Sequence, residues 1–95
     1  MNIPLPVSDG YTIYSKMNCI YCTKVKALLE DKQSVTIIPC DLFLEDRIPF
    51  LQFMDSITLT KHRTFPFVFQ HGIFMGGYDD IKRVLENEIS FTDTF

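Results

Sequence analysis

The sequence predicts an α/β domain, a small mixed β-sheet with helices on its faces. Three observations carry that prediction. YTIYS is followed by a helical pattern and then by a β-branched run, SVTII, the order of a parallel strand pair joined by a right-handed crossover. Further on, FPFVFQHGIFM reads as two strands around a glycine-bearing turn, an antiparallel hairpin added to the same sheet. Helical patterns at 45–57 and 76–89 supply the layers that cover such a sheet.

Each element has its own local reason. YTIYS (11–15) alternates and is rich in Tyr, Thr and Ile, so it reads as a short strand. From Tyr21 to about Asp31, Val25, Leu28 and Leu29 share one helical face with Cys22, while Lys24, Lys26 and Glu30 lie largely off it. SVTIIPCDL (34–42) reads as a second strand, interrupted or ended by Pro39, which has no ladder donor. In EDRIPFLQFMDSI (45–57), acids and a proline crowd the expected first helical turn. Phe50, Phe53, Met54 and Ile57 then repeat at core spacing. FPFVFQ (65–70) and IFM (73–75) flank His71-Gly72, with the glycine at the turn. GGYDDIKRVLENEI (76–89) opens on a glycine break and presents Ile81, Val84, Leu85 and Ile89 as an inner face, and the tail SFTDTF shows no pattern. The order is therefore β-α-β-α-β-β-α.

Ninety-five residues make one domain, 1–95, with its core at about 11–89. A hydrophobic share of 46%, including nine Phe, is that of a globular chain and not a disordered one. A net charge of −3 argues against a general nucleic-acid binder. The charges are unevenly placed, however. Lys16, Lys24 and Lys26 bracket Cys19 and Cys22, Lys61 and Arg63 form a second basic group, and much of the acid lies elsewhere. MNIPLPVSDG has neither the basic nor the apolar region of a secretory signal, and no apolar stretch is long enough to span a bilayer. The expectation is a soluble, cytoplasmic protein without a membrane partner. In a reducing compartment, a close cysteine pair points to catalysis or metal binding ahead of a structural disulfide.

MNCIYCTKVKALLE (17–30) places that pair, Cys19 and Cys22, at the first strand-to-helix junction. Residues at i and i+3 of a helical start face the same side, so the two sulfurs are within bridging reach. Cys19 precedes the helix, where free N–H groups and the positive end of the dipole stabilise a thiolate, and Lys16 adds to that field. Cys22 lies on the apolar stripe, where a thiol stays protonated. The division of labour expected is Cys19 as nucleophile and Cys22 as resolving thiol. Two readings compete. One Cys-x-x-Cys supplies half of the ligands a structural zinc site takes, and Cys40, His62 and His71 offer no second knuckle spacing. Alternatively both cysteines are buried filler, a frequent fate of free Cys and the one expected of Cys40.

With the cysteine motif on a strand–helix junction, RTFP at 63–66 and GGYDD at 76–80, the chain resembles a glutaredoxin from about Tyr11 to Ile89. The resemblance implies the minimal thioredoxin-like fold, a four-stranded mixed sheet flanked by three helices. It implies a glutathione-dependent thiol–disulfide oxidoreductase that reduces protein disulfides and glutathione mixed disulfides, with glutathione as co-substrate and no tightly bound cofactor. Thr64-Phe65-Pro66 would be the family's Ser/Thr-Val-Pro segment, with Pro66 cis beside Cys19 and the Phe65 backbone pairing with bound glutathione. Gly76, Gly77, Tyr78 and Asp79 would receive the γ-glutamyl end, their N–H groups facing its carboxylate and Asp79, with Asp80, its ammonium. Plain helix capping by an Asp is the bland alternative, and one Asp can cap while the other binds. Lys16 and Tyr21 match family glutathione contacts, Lys16 facing the glycine carboxylate, and Arg63 would add charge nearby.

Three residues depart from the family pattern: Ile20 replaces the usual Pro between the cysteines, His62 stands for Gln, and Tyr78 for a small residue or Cys. Loss of that proline is associated in some members with a bridged [2Fe–2S] cluster, but the Cys-Gly-Phe-Ser motif of the cluster-handling branch is absent. The alternatives kept are a thioredoxin-like electron donor recharged by a flavoprotein reductase, and a module binding zinc or an iron–sulfur cluster. Expected partners are disulfide-bearing or glutathionylated proteins, ribonucleotide reductase being the family example, and a monomer is expected.

Overall fold

The computed structural model describes the backbone of residues 2–93 and the side chains of residues 2–87. Four strands, β1 (Tyr11–Ser15), β2 (Val35–Pro39), β3 (Phe67–Gln70) and β4 (Ile73–Gly76), form one sheet in the order β2-β1-β3-β4. β1 pairs in parallel with β2 and antiparallel with β3, and β3 pairs antiparallel with β4. Three helices complete the fold: α1 (Ile20–Leu28), α2 (Arg47–Thr58) and α3 (Tyr78–Asp93). This is the minimal thioredoxin-like α/β architecture.

β1 lies between two partners, and all five of its residues are buried. Strand alternation sends Tyr11 and Ile13 to one face and Tyr14 to the other, and two cores follow. Tyr14, Ile38, Phe67 and Phe69 pack with Phe50 and Met54 of α2. Tyr11, Ile13 and Val68 pack with Val25 and Leu29 from the α1 segment and Ile81 of α3. Each fully buried large apolar side chain contributes on the order of 1.5–3 kcal/mol. Both faces are thus covered, and the site is built where β1 and β3 meet the helix starts.

The hairpin turn is His71-Gly72, with φ +52° and +78°. Two successive positive φ values define the turn whose twist suits a two-residue hairpin, and glycine takes the second without penalty. The His71 N–H also donates to the Gly10 carbonyl at 2.8 Å, fastening the turn to the start of β1.

Several boundaries differ from the sequence reading. α1 ends at Leu28 instead of running to about Asp31, with the Leu29 N–H closing the last turn on the Val25 carbonyl at 3.1 Å. β2, by contrast, ends at Pro39 as one of the two expected outcomes there, and Cys40 donates its N–H to the Ser15 carbonyl at 2.8 Å before the chain turns away. Phe43–Glu45 then forms a single 3-10 turn that packs Phe43 and Leu44 on the core. α2 begins only at Arg47, so Glu45 and Asp46 precede its first turn instead of filling it. Asp46 occupies the N-cap without a side-chain capping bond. Pro49 is the third residue of α2, where its missing N–H would have had no helical acceptor. β3 starts at Phe67 because Phe65 and Pro66 belong to the site loop. The tail read as patternless continues α3 to Asp93. Ile81 is buried and Val84 and Leu85 are half-buried as expected, whereas the side chain of Ile89 lies outside the described residues.

Candidate active site

β1 delivers the chain to a short loop, Lys16-Met17-Asn18, before α1 begins. Asn18 takes a left-handed φ of +54° and the Met17 N–H donates to Asp41 Oδ1 at 2.9 Å, so the loop is tied to the segment that leaves β2. Cys19 is the N-cap of α1, with extended backbone angles, and its Sγ accepts the Cys22 N–H at 3.2 Å. A sulfur thus occupies the position where Ser, Thr or Asp usually caps a helix. Any negative charge on it faces unpaired N–H groups and the positive end of the dipole. The Cys19 carbonyl in turn accepts from the Thr23 N–H at 3.1 Å and the Thr23 hydroxyl at 3.3 Å. Cys19 and Cys22 are disulfide-bonded with Cα atoms 5.2 Å apart, Cys19 partly exposed and Cys22 only 1% exposed.

A groove of about 280 Å³ opens beside them, lined by Tyr21, His62, Thr64, Phe65, Pro66, Gly77, Tyr78, Asp79 and Asp80. Tyr14 pairs with Phe67, which sets Pro66 at the end of β3 where β1 hands the chain to the cysteine loop. The Phe65–Pro66 peptide bond is cis. The opposite wall is the start of α3. Gly77 caps it: its carbonyl accepts from Ile81 N at 3.1 Å, and its N–H donates to Asp80 Oδ2 at 3.0 Å. That second bond is half of a capping box. Gly76 precedes it at φ +116°, where an added Cβ would run into the Asp80 side chain. The two acids therefore divide. Asp80 caps, while Asp79 stays exposed with no hydrogen bond or ion pair among the described residues. The N–H groups of Tyr78 and Asp79, in the first helical turn, have no acceptor within the helix.

At the mouth, the Tyr21 and Tyr78 rings lie 5.5 Å apart between centroids, and Lys24 Nζ sits 5.2 Å from the first and 5.8 Å from the second. His62 is half-buried, with its ring edge-on to Phe67 and Phe74 and Nε2 3.3 Å from the Thr64 hydroxyl. At position 62 the departure from the family pattern is therefore also a packing choice.

The fold gathers Tyr21, Thr64, Phe65, Pro66, Gly77, Tyr78 and Asp79 into one groove, but Lys16 and Arg63 stand elsewhere. Lys16 Nζ lies 5.6 Å from the Phe65 ring centre and, with Arg63, lines a second cleft on the α2 side. Arg63 holds Asp55 through two hydrogen bonds, 2.6 and 2.9 Å, which pull the Asp55 carboxyl below its usual range and raise the guanidinium. Leu44, Arg47 and Leu51, which no motif marked, line that cleft with Phe50, Phe65 and Phe67. One signal was present: Arg47 puts a cation in the first turn of a helix, against the dipole. Cys40 is fully buried beside Tyr14, donating its Sγ–H to the Ile38 carbonyl at 3.4 Å. Burial, helped by Asp41, pushes its thiol up to about 12. Among the described residues, no group of three or more His, Cys, Asp or Glu is gathered as a metal site would require, and no helix is long and apolar enough to cross a membrane.

A family model described as Glutaredoxin matches residues 11–75. Among curated proteins, the chain is similar to mitochondrial glutaredoxin-2 of Homo sapiens, 35% identical over 81 residues that cover 82% of this chain and 47% of that one. The Bos taurus protein of the same name is 34% identical over 74 residues, covering 76% of this chain and 45% of that one. The chain thus spans about half the length of the curated relatives it matches. Among solved structures, the buckwheat glutaredoxin–glutathione complex is 28% identical with a TM-score of 0.68, over 85% of this chain and 72% of that one. The holo form of glutaredoxin C1 from Populus tremula x tremuloides is 30% identical with a TM-score of 0.65, over 85% and 72%. The dithiolic glutaredoxin 2-C-Grx1 of Trypanosoma brucei brucei shares the fold at 21% identity, with a TM-score of 0.69 over 84% and 80%. A matched model over most of the chain, a relative more than a third identical, and a cysteine pair capping the first helix lead to one conclusion: the chain belongs to the glutaredoxin family.

Proposed function

We propose that this chain is a glutathione-dependent thiol–disulfide oxidoreductase that uses Cys19 as nucleophile and Cys22 as resolving thiol. The observation that carries the reading is the Cys19 sulfur at the N-cap of α1, hydrogen-bonded to the Cys22 N–H at 3.2 Å and partly exposed, with its partner buried. Reduced Cys19 attacks a glutathionylated protein at the glutathione sulfur; a Cys19–glutathione disulfide forms and the protein thiolate leaves, taking a proton from solvent. A second glutathione thiolate attacks that mixed disulfide, releases oxidised glutathione and restores the Cys19 thiolate. On a protein disulfide, Cys19 forms a mixed disulfide with one substrate sulfur as the other leaves as a thiolate and takes a proton from solvent. The Cys22 thiolate then attacks the Cys19 sulfur and expels the substrate sulfur bonded to it. The product is the bonded pair seen here, which two glutathione molecules return to the dithiol.

In this reading the groove from Tyr21 to Asp79 holds glutathione. The backbone of Phe65 pairs with its peptide, the N–H groups of Tyr78 and Asp79 face its γ-glutamyl carboxylate, and the free Asp79 side chain faces its ammonium. The buckwheat neighbour, a glutaredoxin–glutathione complex, supports that assignment. Lys16, at the far edge of Phe65, reaches the glycine end. The chain works as a monomer in the cytoplasm and passes electrons from glutathione to disulfide-bearing or glutathionylated proteins, with ribonucleotide reductase as the family's example.

The test is reduction of a small glutathione mixed disulfide, with glutathione, glutathione reductase and NADPH consumption as the readout. Turnover that requires glutathione is expected. No turnover with glutathione, and activity through thioredoxin reductase instead, would overturn the reading in favour of a thioredoxin-like donor.

A further inference from the structure

Residues 59–66 connect α2 to β3 and carry Thr64, Phe65 and Pro66 of the groove wall. Little of their shape comes from their own backbone. Leu59 closes α2 in a left-handed conformation, φ +60°, with its N–H on the Asp55 carbonyl at 3.1 Å. Thr60 is tied back to the Thr58 hydroxyl by bonds of 2.8 and 3.3 Å. From Lys61 to Phe65, no backbone–backbone hydrogen bond forms among the described residues. Side chains hold this stretch instead. The Phe65 ring stacks on Phe50, centroids 5.8 Å apart and planes at 17°, and meets Phe67 edge-on at 5.1 Å. The Thr64 hydroxyl and His62 Nε2 lie 3.3 Å apart. A third anchor is ionic. Arg63 Nη1 and Nη2 donate to Asp55 Oδ1 and Oδ2 at 2.6 and 2.9 Å, and Nη1 also donates to the His62 carbonyl at 3.3 Å.

This pair is built to set position more than to add stability. Its side chains are 41% and 35% exposed, and exposed ion pairs add little to folding. A fork of two parallel bonds, however, fixes direction as well as distance. One end of the fork is rigid: Asp55 lies in the last turn of α2, next to Met54, which is fully buried in the core. The other end is two residues from Phe65. Asp55 itself lines neither the groove nor the second cleft.

We infer that Asp55 is a positioning residue for glutathione: through the Arg63 fork it holds the loop so that the Phe65 backbone meets the glutathione peptide in register. The inference rests on the thiol–disulfide reading above and adds to it a residue outside the groove. Loss of the fork lets the wall shift, which weakens the pairing with glutathione and leaves the sulfur exchange at Cys19 untouched.

The test measures kcat and KM on a small glutathione mixed disulfide for the unaltered chain, Asp55→Asn, Arg63→Lys and the double variant. Asp55→Asn keeps the shape and removes the charge. It should raise KM about fivefold with kcat within about twofold, the effect of one lost hydrogen bond on affinity. Its urea midpoint should fall by no more than about 0.5 M, and its reduced Cys19 should react with iodoacetamide at an unchanged rate. Arg63→Lys keeps the charge and loses the fork, so it should match Asp55→Asn, with the double variant no worse than either. An unchanged or lowered KM in Asp55→Asn would overturn the inference. So would an unchanged KM in Arg63→Lys, which leaves only a charge at that position, or additive losses in the double variant, which separate the two residues. Loss of kcat and urea midpoint together would overturn it as well, being the mark of a general folding role. If the unaltered chain fails to turn over the mixed disulfide, the enzyme reading falls first and the positioning role with it.

Discussion

The Cys22 N–H donates to the Cys19 sulfur at 3.2 Å, so α1 is capped by its own cysteine. At this helix start Cys19 is partly exposed, whereas Cys22, one turn in, is buried. Stability and chemistry here depend on one contact. In the reduced protein at neutral pH, Cys19 should react with iodoacetamide about tenfold faster than Cys22 or Cys40, given its helix-start position and exposure. Peptide mapping after a short pulse reads the three rates, and equal labelling of Cys19 and Cys22 would remove the asymmetry on which their roles rest.

Asp79 and Asp80 are neighbours with separate duties, and substitution should separate them. Asp80 holds the Gly77 N–H, so Asp80→Ala should cost about 0.5–2 kcal/mol in urea unfolding. Asp79 has no side-chain partner among the described residues, so Asp79→Asn should leave stability within about 0.5 kcal/mol and raise the KM for glutathione several-fold. Gly76→Ala should lose about 1–3 kcal/mol, because φ is +116° and the new Cβ meets the Asp80 side chain. A stable Asp80→Ala with a raised KM would exchange the two assignments.

Cys40 and Tyr14 give the fold an alkaline limit. Burial raises both groups, the Cys40 thiol from 9.0 to about 12. Folding therefore favours the neutral thiol, and this contribution is fully present below about pH 9 and is lost as pH climbs toward 12. Urea midpoints over that window should fall more steeply for the unaltered protein than for Cys40→Ala, with Tyr14 contributing to both. Parallel slopes would show that Cys40 is not held as a buried thiol.

Much of this site could be read from the sequence, because its parts are local. The Cys19–Cys22 spacing, the Thr64-Phe65-Pro66 run and the Gly76-Gly77 break each carry their geometry within a few residues, and the sheet brings them together. The strands were legible for the same reason: Ile13 and Val68 alternate with Tyr14 and Phe67 across two covered faces. What was not legible depended on three-dimensional neighbours. Which Asp caps α3 is decided by Asp80 standing one turn from Gly77. Lys16 leaves the expected groove because the Phe65 ring lies between the two clefts. Arg47 becomes a cleft residue only once α2 lies on the sheet. The tail is helical to Asp93 although Ser and Thr are weak helix formers, since extending a formed helix adds one hydrogen bond for each residue fixed.

The most direct measurement is a comparison of Cys19→Ser and Cys22→Ser on two substrates, a glutathione mixed disulfide and a protein disulfide. Cys19→Ser should lose both activities. Cys22→Ser should keep deglutathionylation, which needs one thiol, and lose most reduction of the protein disulfide, which needs two. Turnover retained in Cys19→Ser would contradict the central claim that the sulfur capping α1 is the nucleophile.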